Sequence, residues 1–199
     1  MKKLLAVCLM ALVCWVCAGY AEETRVGDTV IFGQYEQDGN LDNGGEPIAW
    51  LVLDVQGGKA LLMSRYALDC LPFHDEKTDA AWNQSALNAW LQADFRAAFT
   101  DAEPAETRVF LLSYAQVMQY LPEQEQRKVS GTEYARSRGA KFLGFTTIGI
   151  GETDWWLRSP GKESYDACFL DVRGAVGTKC VTEKLGVRPA LWMDLSADR

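Results

Sequence analysis

The pattern of apolar and polar positions predicts strands at both ends of the chain and helices between them. Residues 27–33 predict a short strand after a turn. Two β-prone apolar runs at residues 48–55 and 59–65 flank Gln56-Gly57-Gly58, a sequence typical of a hairpin turn. After residue 142 the composition shifts to glycine, threonine and aromatic residues, and strands are predicted at residues 155–158, 166–172, 175–181 and 187–193.

The middle of the chain carries helical periodicity instead. Residues 79–99 place their large apolar side chains at three- and four-residue steps, with Asn83 or Ser85 as the predicted cap. A shorter helix is predicted at residues 113–121, and a third at residues 131–138. Strands, then two to three helices, then strands indicate an α+β fold with mixed antiparallel strands, and the prediction is a single domain over residues 22–199.

The first residues predict export. Lys2 and Lys3 precede an apolar run over residues 4–16, and small residues follow at Gly19 and Ala21, so residues 1–21 are predicted to be a secretory signal peptide. A transmembrane anchor is one alternative, although the apolar run is shorter than the roughly 20 residues of a spanning helix. Lipid attachment at Cys17 is another, although valine precedes that cysteine. The Met-Lys-Lys start is typical of bacteria, so the expected location is the periplasm or the outside of the cell.

Charge and composition narrow the class of partner. The net charge is −7 at pH 7. A nucleic-acid partner is therefore not expected, because phosphate contacts need clustered lysine and arginine. No apolar stretch after residue 21 is long enough to span a membrane, so the mature form is predicted not to do so.

The cysteines predict one disulfide. Three of the six cysteines lie in the predicted signal peptide, which leaves Cys70, Cys168 and Cys180. Cys168 and Cys180 flank a predicted hairpin and are the expected pair in an oxidising compartment. Cys70 is expected to be a small buried hydrophobe. The spacings fit no metal or CxxC motif, so no cofactor is predicted.

Several segments, taken in order, carry a resemblance to a known bacterial family. They are Gly33-Gln34-Tyr35, Glu46-Pro47-Ile48-Ala49-Trp50-Leu51-Val52-Leu53, Ala60-Leu61-Leu62-Met63-Ser64, Ala81-Trp82-Asn83-Gln84-Ser85-Ala86-Leu87-Asn88-Ala89-Trp90-Leu91, Val109-Phe110-Leu111-Leu112-Ser113, Trp155-Trp156-Leu157-Arg158-Ser159-Pro160-Gly161 and Gly186-Val187-Arg188-Pro189-Ala190-Leu191. Across almost the whole mature length the chain resembles the bacterial domain-of-unknown-function family 6273. That family is similar, more distantly, to the C-type-lectin-like fold of formylglycine-generating (sulfatase-modifying) enzymes and of retroelement-diversified binding proteins.

The resemblance implies a C-type-lectin-like domain whose closing strands carry a binding surface, and it names no catalytic residue. Copper-dependent formylglycine-generating enzymes use two closely spaced cysteines near the end of the domain. Cys168 and Cys180 are widely separated here, so oxidase chemistry is not expected.

The closing segments supply the candidate ligand-binding residues, which are Trp155, Trp156, Arg158, Tyr165 and Arg188. Adjacent strand residues point to opposite faces, so one of the two tryptophans is expected to pack inside and its neighbour to lie exposed. The two arginines are expected to hold this platform by pairing with Asp154, Asp171 or Asp194. Core packing is the alternative for the aromatic residues.

Three other features suggest chemistry, each with an ordinary structural alternative. Asp38, Asn40 and Asp42 present oxygens at alternate positions, as calcium prefers, although such residues are also common in turns. Asp154, Asp166 and Asp171 are candidate glycosidase carboxylates. His74, the only histidine, lies in a polar loop without a nucleophile motif.

The expected function is therefore that of an exported, non-catalytic module that binds a cell-surface glycan or peptide. A cell-surface hydrolase such as a glycosidase, and a purely structural domain, are the alternatives.

Overall fold

A computed structural model describes residues 24–79, 81–99, 108–143 and 151–195. The predicted signal peptide lies outside the described residues. The strands are β1 (Thr29–Tyr35), β2 (Glu46–Gln56), β3 (Lys59–Ser64), β4 (Asp69–Pro72), β5 (Phe142–Leu143), β6 (Glu152–Thr153), β7 (Trp155–Pro160), β8 (Asp166–Leu170), β9 (Val176–Cys180), β10 (Lys184–Val187) and β11 (Ala190–Asp194). The helices are α1 (Ala86–Gln92), α2 (Tyr114–Tyr120), α3 (Gln124–Arg127) and α4 (Glu133–Ser137), with 3-10 turns at Trp82–Gln84 and Phe95–Ala98.

The strands form two main sheets, which confirms the α+β class with mixed strands. The first sheet is antiparallel and has the order β1-β2-β3-β11. The second has the order β4-β10-β7-β8-β9, in which only β10 and β7 run parallel. The short strands β5 and β6 form a separate pair.

The predicted hairpin is confirmed. Strands β2 and β3 are joined by Gly57 and Gly58, with φ of +57° and +75°. Two consecutive positive φ values match the right-handed twist of a two-residue hairpin, and they explain the glycine pair.

The described residues contain four α-helices, whereas two to three were predicted. The segment predicted as one helix over residues 79–99 is divided into a 3-10 turn, α1 and a second 3-10 turn. Apolar residues three apart face the same side of a 3-10 turn as well as of an α-helix, so the spacing could not show these breaks. Of the two predicted caps, Ser85 is the one used: its side chain accepts from the backbone N–H of Asn88.

Two hydrophobic clusters pack on opposite faces of the strands. The larger contains Trp50, Phe73 and Trp156, and the second contains Met63 and Trp155. Strands β2, β3 and β7 each contribute side chains to both clusters, because alternate strand residues face opposite sides. None of the described helices is both long enough and apolar enough for a membrane crossing.

Candidate functional site

The two tryptophans of β7 are both buried. Trp155 and Trp156 each have 0% exposure and lie in different hydrophobic clusters. Each indole N–H is satisfied by a backbone carbonyl: Trp155 Nε1 donates to Arg127 at 2.9 Å and Trp156 Nε1 donates to Leu71 at 3.0 Å. The expected opposite orientation is found, but the expected exposure of one ring is wrong. Both faces of β7 are covered, which strand periodicity alone does not reveal.

Arg188 lies at the crossing between the two sheets. It follows β10 of the second sheet and comes two residues before β11 of the first. Its Nε donates to the carbonyl oxygen of Ser64 at 2.8 Å, and its guanidinium carbon lies 5.0 Å from the centre of the Trp155 ring. The residue is only 4% exposed, so the guanidinium is held in place by one hydrogen bond and one aromatic face.

Arg188 also keeps a buried donor that lacks an acceptor among the described residues. Its Nη1 atom is buried and has no hydrogen-bond partner in that part of the chain. Burial, and after it the charge of the nearby Arg65, lowers the pKa of Arg188 to about 9. The group is therefore still charged at neutral pH, and no ion pair joins it to a carboxylate of the described residues. The predicted pairing with Asp154, Asp171 or Asp194 is wrong for this arginine.

Arg65 adds a second positive charge beside Arg188, but at the surface. It is exposed, and its backbone N–H donates to the carbonyl oxygen of Ala49 at 2.8 Å. Its Nη1 atom lies 3.5 Å from the hydroxyl oxygen of Thr29 on β1. A contact of that length holds the side chain only weakly, so Arg65 is available to a ligand.

The other predicted ligand-binding residues do not join this arrangement. Arg158 is half-buried, donates to the carbonyl oxygen of Leu111 at 2.8 Å and lies 5.0 Å from the Phe110 ring centre. Burial, and then Arg108, lowers the pKa of Arg158. Tyr165 instead contacts Lys77, whose Nζ lies 4.3 Å from the tyrosine ring centre. The predicted single platform is therefore divided into separate contacts, one of which joins Arg188 to the Trp155 ring.

The predicted Cys168–Cys180 disulfide is absent, and both residues are free thiols. The β8–β9 register places Cys168 opposite Thr178 and Cys180 opposite Asp166. The two cysteines are thus diagonal neighbours on one sheet face, a relation that separates Cα atoms more widely than a disulfide allows. Cys168 Sγ donates instead to the carbonyl oxygen of Pro160.

The predicted calcium loop contains a different set of carboxylates from the one expected. Asp38 groups with Glu36 and Glu46, with one ligand atom from each lying within 4.8 Å of the others, and Asp42 is not part of this group. Glu46 accepts from the backbone N–H groups of Gln37 and Asp38, and Asn40 accepts from the backbone N–H of Asp42. These bonds brace the β1–β2 connection.

The candidate glycosidase carboxylates are engaged in structural contacts. Asp154 accepts from Lys179 Nζ at 2.6 Å and from the backbone N–H of Val172 at 3.0 Å. Asp171 accepts from the backbone N–H groups of Arg173 and Ala175, which closes the β8–β9 turn.

Asp166 and His74 also have structural surroundings. Asp166 lies in β8 opposite Cys180 of β9. His74 Nδ1 accepts from the backbone N–H of Ala86 at 3.1 Å and so supports the start of α1.

The sequence reasoning missed a buried polar network around Asp69. This carboxylate, 2% exposed, accepts from Tyr35 Oη at 2.6 Å, from the backbone N–H of Cys70 at 2.6 Å and from Arg138 Nε at 3.3 Å. Burial, and then the Asp69 charge, raise the pKa of Tyr35 well above its usual value. An aspartate within the apolar run at residues 67–71 was the available signal, because a buried carboxylate requires partners.

Two glycines of the closing segments allow close packing. A Cβ atom at Gly186 would lie 2.8 Å from the Asp154 carbonyl oxygen and 3.0 Å from the Ala67 Cβ. One at Gly161 would overlap Asp166. At both positions the backbone lies so close to a neighbouring segment that there is no room for a side chain.

Comparison with known proteins supports the resemblance over the second half of the chain. The model of a family described as Domain of unknown function (DUF6273) matches residues 101–195. The match contains Arg188 and both tryptophans of β7, whereas Arg65 and the earlier segments lie outside it. No curated protein and no solved structure matches the chain.

Proposed function

We propose that this chain is an exported bacterial module that binds a ligand at the cell surface and does not catalyse a reaction. The observation that carries the proposal is the unused Nη1 donor of the buried, charged Arg188. A buried charge without a counter-ion is unfavourable, and a binding module can retain it because a ligand supplies the missing acceptor.

The structural contacts of the candidate catalytic groups favour binding over hydrolysis. Two carboxylates proposed for a glycosidase, Asp154 and Asp171, already accept hydrogen bonds that hold strands and turns together. His74 Nδ1, the ring nitrogen that could act as a base, already accepts the backbone N–H of Ala86 at the start of α1. By contrast, the arginine side chains at residues 65 and 188 present donors with weak or missing partners.

Export and fold relationship are further parts of the proposal. The charged, apolar and small-residue order of residues 1–21 supports a signal peptide. The C-type-lectin-like relationship is supported by the closing Trp-Arg and Gly-Val-Arg segments, which lie together in strands of a mixed α+β structure.

The direct test is an array of bacterial surface glycans and peptides probed with the purified protein, in calcium and then in chelator. We expect saturable binding to at least one class of probe and no release of fragments from a cell-wall preparation. Cleavage of the wall without binding to any probe would show that the protein is a hydrolase. A control sample unfolded in urea identifies probes that retain protein nonspecifically.

A further inference from the structure

The unmet donor of Arg188 defines the kind of group that fits it. The group must be an acceptor, and a negative one, since both the buried Arg188 and the nearby Arg65 are cations. Charge-assisted hydrogen bonds to guanidinium are strongest with carboxylate or phosphate oxygens.

A carboxylate suits this site better than a phosphate. Arg188 leaves one buried Nη1 donor, and the Trp155 ring lies against the same guanidinium. The energy needed to remove an ion from water rises steeply with its charge, so a singly charged carboxylate enters such surroundings more easily than a phosphate dianion. The overall charge of −7 also opposes a dianion more strongly.

The neighbouring surface favours a peptide over a sugar. Sugars commonly stack on exposed tryptophan faces, and both tryptophans of β7 are buried here. The exposed apolar side chains near Arg65 are Ile31, 60% exposed, and Tyr66, 37% exposed. Ile31 is close because it pairs with Ala49, whose carbonyl oxygen accepts from the Arg65 backbone.

We propose that the ligand is a peptide segment with an acidic side chain or a free C-terminus, and that its carboxylate contacts Arg65 and accepts the hydrogen bond that Arg188 Nη1 leaves unmade. This inference rests on the proposed binding function and names its ligand class. The Nη1 atom is covered, so binding requires nearby side chains to change rotamer. Arg65 and Tyr66 are exposed and directly follow Ser64, the residue that holds Arg188 Nε. Exposed side chains of this kind change rotamer rapidly.

The test is a titration of the protein, labelled on arginine side chains, with N-acetylglutamate α-amide, a probe with a single carboxylate, followed by nuclear magnetic resonance. We expect a saturable shift of the Arg188 Nε–H resonance with a Kd on the order of 1 mM, as for a ligand with one anchoring group. The neutral diamide N-acetylglutamine α-amide, which carries no carboxylate, and sodium chloride at equal ionic strength should both leave that resonance in place.

Two matched variants separate a specific site from a general charge effect. Arg65→Gln should weaken binding of N-acetylglutamate α-amide by about twofold to fivefold, the range for one partly exposed charge contact. Arg173→Gln removes another exposed arginine, in the β8–β9 turn, and should change nothing. Both positions are at the surface, so both variants are expected to fold.

The outcomes distinguish this inference from the broader proposal. Shifts that are equal with chloride, or equal in both variants, would overturn the carboxylate site. Binding of glucuronate without binding of N-acetylglutamate α-amide, which has the same charge, would show that the ligand is a glycan, and the peptide assignment would be wrong. If the array finds a ligand whose binding Arg65→Gln does not alter, the module binds at another surface; if neither experiment detects binding, both proposals fail.

Discussion

At the scale of single residues, Asp69 is the buried charge with the most complete set of partners. It accepts hydrogen bonds from Tyr35, Cys70 and Arg138, which come from β1, β4 and the residue after α4. Asp69→Ala would leave the Tyr35 hydroxyl and the Cys70 N–H without an acceptor. We expect a loss of about 3 kcal/mol in the free energy of unfolding, measured by urea denaturation.

Tyr35→Phe is the control for that prediction. It removes one donor but keeps the ring and leaves Asp69 with two partners, so the expected loss is about 1 kcal/mol. Equal losses in the two variants would show that Asp69 contributes nothing beyond its bond to Tyr35.

Cys70 makes stability depend on pH in the alkaline range. Burial, and after it the charge of Asp69, raise the pKa of the Cys70 thiol from 9.0 to about 11. The unfolded chain releases this proton first, so stability contributed by the protonated thiol is complete below about pH 9 and decreases as pH rises through about 11. The free energy of unfolding, measured at several pH values, should fall between pH 9 and 11 by about 2 kcal/mol less in Cys70→Ala than in the wild type. If the free energy of unfolding changed with pH equally in the wild type and the variant, the Cys70 thiol would not be the source of the pH dependence.

Some residue environments follow from sequence and others do not. The alternation of Trp155 and Trp156 was predictable because strand geometry fixes it, but whether each face is covered depends on other segments. Pairing of Arg188 with an aspartate was a reasonable expectation, yet Asp154 pairs with Lys179 because those residues meet across the second sheet. Several residues could pair with each of these charges, and the packing of distant segments decides which of them do. The spacing of residues along the chain does not show which segments pack together.

At the scale of elements, glycines show which constraints belong to a turn and which belong to packing. Gly58 lies in the β2–β3 turn with φ of +75° and nothing within 4 Å of an added Cβ. Gly186 in β10 is the opposite case, since an added Cβ would meet the Asp154 carbonyl oxygen at 2.8 Å. The hairpin was predictable from Gln56-Gly57-Gly58, because turn chemistry is local. The close approach at Gly186 was not, because it depends on β7.

The two glycines should therefore respond differently to substitution by alanine. Gly58→Ala adds only backbone strain and should lower the free energy of unfolding by about 1 kcal/mol. Gly186→Ala forces two strands apart at a backbone contact and should lower it by about 2–3 kcal/mol. Thermal unfolding followed by circular dichroism gives the comparison. A smaller loss for Gly186→Ala than for Gly58→Ala would mean that β10 and β7 separate easily.

At the scale of the whole molecule, the segment from Gly186 to Leu191 joins the two main sheets. Gly186 and Val187 belong to β10, whereas Ala190 and Leu191 belong to β11. Between them, Arg188 donates to the Ser64 carbonyl, and the Pro189 carbonyl accepts from the Ser64 N–H at 2.8 Å. The proposed ligand site thus lies where the sheets are joined, so ligand binding should stabilise the whole fold and not only one loop.

The two hydrophobic clusters should consequently unfold together. Trp155→Phe shrinks the second cluster and Trp156→Phe shrinks the first, and each also removes one indole hydrogen bond. Because β2, β3 and β7 contribute to both clusters, neither cluster can lose its structure without exposing side chains of the other. The free energy of unfolding of each variant should be about 2–3 kcal/mol lower than that of the wild type. Unfolding should remain one cooperative transition, with the same urea midpoint by circular dichroism and by fluorescence. Separate transitions by the two probes, in either variant, would show that the two clusters unfold independently. In that case Arg188 would link two units and would not stabilise a single core.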